Sequence, residues 1–139
     1  MTGDPELTAF MARMMPFTTL LGVEALAADP GEVRLRLAWD PARCTSFGVL
    51  HGGTLMALAD SAAAWCAFLN VPRGSATTTI ESKINFIRAV RSGHVDAVAT
   101  PLHVGRTTIV VESELRDHDD RLVAKVMQTQ AVIDVPAPG

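Results

Sequence analysis

The segment from Thr54 to Leu69 constrains the fold more than any other part of the chain. It reads Thr-Leu-Met-Ala-Leu-Ala-Asp-Ser-Ala-Ala-Ala-Trp-Cys-Ala-Phe-Leu, with no glycine and almost no β-branched residue. Ala, Leu and Met are strong helix formers, so this composition predicts a helix. Because the segment is apolar on nearly every side, we expect the helix to be buried on most of its surface. Asn70, Pro72 and Gly74 are expected to end it.

The segments around this helix carry the pattern of β-strands. Before it, Val23–Ala28 and Val33–Trp39 flank the turn Asp29-Pro30-Gly31, and the second segment begins with strict apolar/polar alternation. This pattern predicts a hairpin. After the helix, four segments are rich in Val, Ile and Thr and are separated by short turns, which predicts antiparallel strands; the segments are Ser75–Val90, His94–Val104, Thr107–Arg116 and Leu122–Val135.

The expected architecture is α+β, with six antiparallel strands wrapped around one long apolar helix, because wrapping the strands around it is the natural way to bury that helix. A chain of 139 residues fits a single domain, which we predict over 1–139. We expect residues 1–19 to form a short N-terminal helix and residues 136–139 to form a frayed tail.

Charge and composition exclude several functional classes. The chain carries 12 basic and 15 acidic residues with no basic run, so neither nucleic-acid binding nor a membrane-surface role is expected. Hydrophobic residues reach 48%, which favours self-association. Cys44 and Cys66 lack any Cys-x-x-Cys spacing. We therefore interpret them as reduced thiols of a cytoplasmic protein, with no metal site.

Asp60 is the first candidate for chemistry, because it is the only charged residue between Gly53 and Val71. A carboxylate on a buried apolar helix is costly unless it is partnered or partly neutral. The alternative is a structural Asp that bonds to the backbone or faces solvent at an interface.

The second candidate is His51-Gly52-Gly53, directly before the helix. Glycines allow a ligand to approach the backbone closely, and free N–H groups at a helix start attract negative charge, including a developing oxyanion. The alternative is an ordinary loop-to-helix turn. Nine residues from His51 to Asp60 correspond to ~13 Å of helix. Gly52 and Asp60 of one chain therefore cannot act on the same carbonyl carbon, and a partner subunit would have to supply one of them.

The motifs together resemble a known family. Ser46–Leu55, followed by Leu58–Asp60, is similar to the hotdog-fold acyl-CoA thioesterases of the phenylacetate-degradation type. Ile84–Ala89 and Pro101–Gly105 are similar to the related dihydroxynaphthoyl-CoA thioesterases. The resemblance covers about residues 20–134, and Asp rather than Glu at position 60 favours the phenylacetate branch.

The resemblance implies hydrolysis of an acyl-CoA without a metal or organic cofactor. It implies that Asp60 acts as nucleophile or as base toward water, that the Gly52 N–H polarises the thioester carbonyl, and that His51 holds the loop and contacts the thioester. It also implies homodimers that pair into homotetramers, with active sites at the dimer interface. Arg88 and Arg106 are expected to bind phosphate, within a set of substrate-binding residues comprising Thr45, Gly53, Thr79, Phe86, Ile87, Arg88, Ala89, His103, Val104, Gly105, Arg106, Thr107 and Thr108.

Two positions depart from the family pattern. Thr45 stands where relatives often carry Asn or Gln, and Ala64 stands where some carry Ser or Thr that would hold a water. These departures give weight to a non-catalytic acyl-CoA sensor as an alternative, and a hotdog hydratase is a second alternative. The hydratase signature is not visible, and binding alone does not require Asp60, so both features favour the thioesterase.

Overall fold

The computed structural model describes residues 1–135. Two short helices precede a strand pair, one long helix and four further strands. In chain order these elements are α1 (Pro5–Met14), α2 (Phe17–Leu21), β1 (Val23–Asp29), β2 (Glu32–Ala38), α3 (Gly52–Phe68), β3 (Ser75–Phe86), β4 (His94–Val104), β5 (Thr108–Asp117) and β6 (Leu122–Asp134).

The six strands form one antiparallel sheet in the order β1-β2-β4-β5-β6-β3, and the sheet wraps around α3. Leu58, Ala59 and Ala62 of α3 are completely buried against it. The packing follows from the sequence, because an apolar helix and the apolar faces of alternating strands leave water together. The predicted architecture is therefore confirmed.

Strands joined by a short turn usually pair with each other, but β3 and β4 do not. β3 does not pair with β4 but with β6, at the edge of the sheet. Residues 87–93 instead cross the open end of the sheet, where Ile87 N–H donates to Val123 O, Val90 O accepts from Leu50 N–H, and Gly93 O accepts from Trp39 N–H. Residues 87–93 therefore form a crossover from β3 to β4 rather than a hairpin turn.

The N-terminal region is two helices rather than the single helix expected over residues 1–19. α1 ends before Met15, and Pro16 precedes α2. Proline lacks an N–H and its ring obstructs the preceding turn, so a continuous helix would be broken at this position. The tail predicted at residues 136–139 lies outside the described residues. Within residues 1–135, no helix combines the length and apolarity that crossing a membrane requires.

Candidate active site

The start of α3 is held by His51, which is its N-cap. The His51 Nδ1 atom accepts a hydrogen bond of 2.7 Å from the Gly53 N–H, so the neutral ring carries its proton on Nε2. His51 N–H donates to Arg43 O, and the neighbouring Leu50 N–H donates to Val90 O, both at 2.9 Å. These bonds hold the loop before the helix in a defined conformation.

The N–H of Gly52 makes no hydrogen bond within residues 1–135. Gly52 is the first residue of α3, where backbone N–H groups have no acceptor inside the helix. A Cβ at this position would lie 3.0 Å from Cζ of Phe86, so glycine allows the Phe86 ring to pack against the helix start. The result is a free donor at the positive end of a long helix, which suits a developing oxyanion.

Asp60 lies on the same helix, ~12 Å further along its axis. Its side chain is exposed in the single chain, in contrast to the burial expected from its apolar neighbours. The difference arises because Asp60 faces the edge strand β3 rather than the centre of the sheet. Its Oδ1 atom accepts hydrogen bonds from Thr79 Oγ1 at 3.0 Å and from Gln128 Nε2 at 2.7 Å.

Gln128 and Gln130 are candidate site residues that the sequence analysis does not single out. Both lie on β6 and are buried, and Gln130 Nε2 donates to Thr79 Oγ1 at 2.8 Å. The available signal was the alternation along β6, because Gln128 and Gln130 continue the inward-facing series that includes Val126. An amide at an inward-facing position requires a polar partner, and Asp60 with Thr79 is that partner.

Asp60 and Gly52, the two candidate catalytic residues of α3, lie beside different points of strand β3. Asp60 contacts Thr79, whereas Gly52 lies against Phe86. Thr79 and Phe86 are separated by ~23 Å of extended strand. One chain therefore does not bring Asp60 and the Gly52 N–H to a common reacting atom.

The expected substrate-binding residues form two groups, one beside Gly52 and one at the other end of the sheet. A groove beside Gly52 is lined by residues 86–89 together with Thr45. Residues 103–108 lie at the other end of the sheet, where Val132 N–H donates to Thr107 O and Val132 pairs with Thr77. Arg88 and Arg106 consequently lie beyond opposite ends of the 11-residue strand β4 and do not share one binding surface within a chain.

The groove beside Gly52 continues into a basic hollow. Arg88 and Ala89 line both depressions, and the second also contains Arg91, Arg121 and His118. The Arg121 guanidinium is paired with Asp117 at 2.9 Å, whereas neither Arg88 nor Arg91 forms an ion pair within residues 1–135. Two unpaired guanidinium groups next to a groove provide charge and donors for an anionic ligand.

An apolar pocket lies beside Asp60, one helical turn further along α3. Its volume is about 240 Å³. Apart from the Thr77 side chain, the lining is apolar and includes no charged residue; it consists of Met14, Met15, Ala64, Trp65, Phe68, Ala76 and Thr77. Ala64, noted as a departure from the family pattern, therefore forms part of an apolar wall.

Other chemistries find little support in the described residues. Burial raises the pKa of the Cys66 thiol to about 11, so the thiol is not a nucleophile near neutral pH. Cys44 and Cys66 are both free thiols. Within residues 1–135, no three His, Cys, Asp or Glu side chains lie close enough together to hold a metal ion.

Known proteins are similar to this chain in both sequence and fold. The family model described as the Thioesterase superfamily matches residues 47–124. A Haemophilus influenzae protein that bears the name of an esterase is 31% identical over 115 residues, covering 83% of this chain and 83% of that protein.

Two solved thioesterase structures superpose on nearly the whole chain. The crystal structure of a thioesterase from Haemophilus influenzae superposes with a TM-score of 0.88 at 28% identity, covering 99% of this chain and 95% of that chain. A mutant thioesterase from Pseudomonas aeruginosa superposes with a TM-score of 0.87 at 30% identity, covering 97% of each chain. The chain therefore belongs to the thioesterase superfamily and has its hotdog fold.

Proposed function

We propose that this protein hydrolyses acyl-CoA thioesters, with Asp60 from one subunit and the Gly52 N–H from the other acting on one carbonyl group. The observation that carries the proposal is the arrangement along β3. A free N–H and an accessible carboxylate, each suited to one half of acyl transfer, lie too far apart to work within one chain.

Strand β3 provides the means of bringing them together. It is a 12-residue edge strand, and its exposed apolar residues include Ile80 at 63% and Phe86 at 53% exposure. Such an edge readily pairs with another strand. Antiparallel pairing of two β3 strands about a two-fold axis between Ser82 and Lys83 would set Thr79 of one subunit opposite Phe86 of the partner subunit. Asp60 would then face Gly52 of the partner subunit, forming two sites per dimer.

The chemistry follows from the two groups. The thioester oxygen accepts a hydrogen bond from the Gly52 N–H, which stabilises the negative charge that develops as the carbonyl is attacked. Asp60 either attacks the carbonyl carbon itself or removes a proton from an attacking water. When Asp60 attacks, the C–S bond breaks as an acyl anhydride forms on Asp60, and a water molecule then hydrolyses the anhydride to release the free acid. When water attacks, its oxygen becomes part of the free acid as the C–S bond breaks. In both routes the CoA thiolate takes up a proton. This route uses no metal or organic cofactor.

The basic hollow would hold the phosphates of CoA. It adjoins the Gly52 groove through Arg88 and Ala89, so a ligand whose thioester lies at Gly52 can extend toward Arg88 and Arg91. Residues 103–108 of the partner subunit would complete this part of the site, because they lie at the Asp60 end of each sheet. We also expect dimers to pair into tetramers, as the resemblance implies.

The acyl group would occupy the apolar pocket beside Asp60. Its lining favours aryl or medium-chain acyl groups without charged substituents, because a charge there would lose its hydration without gaining a partner. Thiol release from a panel of acyl-CoA substrates tests the function, with phenylacetyl-CoA and hexanoyl-CoA expected to exceed charged succinyl-CoA. Comparable turnover of succinyl-CoA would contradict the acyl-pocket assignment.

Replacing Ala64 with Phe should reduce kcat/KM for phenylacetyl-CoA by about tenfold or more, because the new ring fills the pocket. Acetyl-CoA is the matched control, since its acyl group does not need the filled volume, and its kcat/KM should change little. Equal losses on both substrates would show that the variant disturbs the site rather than the pocket.

The main alternative is a non-catalytic acyl-CoA sensor. It would bind members of the same panel without releasing thiol, and calorimetric binding alongside the assay separates the two functions. We place the activity in the cytoplasm, since free Cys44 and Cys66 are compatible with a reducing compartment.

A further inference from the structure

We propose that Gln128 is a positioning residue for Asp60, which fixes the carboxylate through Oδ1 and leaves Oδ2 as the oxygen that acts on the substrate or water. This inference rests on the proposed hydrolysis and deepens it. Gln128 does not touch the reacting atoms in this account; it acts only through Asp60.

The hydrogen bonds define a directional network. Gln130 Nε2 donates to Thr79 Oγ1 at 2.8 Å, so the single hydroxyl proton of Thr79 is directed to Asp60 Oδ1 at 3.0 Å. Gln128 Nε2 donates to the same Oδ1 at 2.7 Å. Asp60 Oδ2 accepts no hydrogen bond from residues 1–135. One carboxylate oxygen is therefore held by two donors, and the other is free.

The burial of the glutamines indicates that they serve function rather than folding. Gln128 is 0% exposed and Gln130 is 1% exposed, and the Oε1 atom of each has no hydrogen-bond partner within the described chain. A buried acceptor without a partner lowers stability, and an apolar side chain would fill these inward-facing positions without that loss. Protein groups that lower stability in this way concentrate at functional sites.

Solvation of Asp60 does not account for the network. Asp60 is exposed in the single chain, and in the proposed dimer it lines a site that must admit water and substrate, so water can satisfy its carboxylate without help from β6. What Gln128 adds is a fixed direction for the carboxylate, because its amide is held within the sheet while water is mobile. Orientation of this kind contributes to rate, since small displacements of a reacting group reduce turnover strongly.

The test is Gln128→Met, which keeps an unbranched side chain of similar length and removes the amide. We expect kcat to fall about tenfold to a hundredfold, with KM within about twofold of wild type. Thermal unfolding should occur at the same or a higher temperature, because the unpartnered Oε1 is removed. Ser113→Ala is the matched control: Ser113 is also completely buried, and its hydroxyl makes no hydrogen bond to Asp60 or to any other of residues 1–135, so its kcat should not change.

Wild-type kcat in Gln128→Met would overturn the inference. So would a fall in kcat accompanied by a lowered unfolding temperature, since that pattern indicates a structural role. If Gln128→Met does not fold, Gln130→Met provides the same test through Thr79, with a smaller loss of kcat expected and an unchanged kcat contradicting the network. A wild-type protein without thioesterase activity would instead remove the proposed function itself, so the two failures are distinct.

Discussion

Replacing Asp60 with Asn should lower kcat for acyl-CoA hydrolysis by about a thousandfold or more, because the amide can neither attack the carbonyl nor accept a proton from water. Asn has nearly the same shape, and its side-chain oxygen can still accept the hydrogen bonds of Thr79 and Gln128. We therefore expect an unchanged unfolding temperature and unchanged affinity for CoA. Thiol release, thermal unfolding and calorimetry measure the three quantities.

Asp134→Asn is the control for this substitution, because it makes the same change in net charge at the exposed end of β6. Its kcat should equal that of wild type. Unchanged turnover in Asp60→Asn would remove Asp60 from the mechanism and would favour a structural role for its hydrogen bonds.

Replacing Gly52 with Pro should lower kcat by about a hundredfold to a thousandfold, the effect typical of losing one oxyanion donor. Proline removes the N–H but is well accepted at the first position of a helix. His51 already has φ −62° and ψ 135°, the extended conformation that a residue before proline prefers. The local backbone therefore suits proline, and the loss should be chemical rather than structural.

Gly52→Ala separates the N–H from the effect of added bulk. Both variants place a Cβ against the Phe86 ring, but only Ala keeps the N–H. Phe86 is half-exposed and can move, so Gly52→Ala should retain much more activity than Gly52→Pro. Equal activities in the two variants would exclude the Gly52 N–H as the oxyanion donor.

The elements that depend on local pattern could be predicted from the sequence. The apolar composition after Gly53 gave α3, and alternation such as that of Val33–Leu37 gave the strands. The pairing of β3 with β6 could not be read in this way, because pairing depends on which edges the wrapped sheet leaves open rather than on turn length. The break between α1 and α2 is not part of the sequence prediction, although proline at position 16 is a residue that interrupts helices.

The site was only partly visible in the sequence. Asp60 stood out as a lone charge, and His51-Gly52-Gly53 stood out as a loop before a helix. Gln128 did not stand out, because glutamine is common on exposed strand faces and its significance depends on which face of β6 is inward. The accessibility of Asp60 was also not predictable, because it depends on the position of α3 relative to an edge strand.

The apolar pocket gives Ala64 a role that does not follow from its departure from the family pattern. As a departure from Ser or Thr, Ala64 raised the possibility of a sensor that had lost a catalytic water. As part of an apolar wall beside Asp60, Ala64 instead fits an enzyme whose substrate carries an apolar acyl group. Thr45 remains beside Gly52, where its hydroxyl can contact a bound substrate.

The central claim, that each active site combines Asp60 of one subunit with Gly52 of the other, is tested most directly by mixing the two inactive variants. Hybrid dimers of Asp60→Asn and Gly52→Pro contain one site with both substitutions and one site with neither. With random exchange, half of the dimers are hybrids, so thiol release should recover to about a quarter of the wild-type rate. Hybrid dimers that are isolated with two different tags and remain inactive would contradict the shared site.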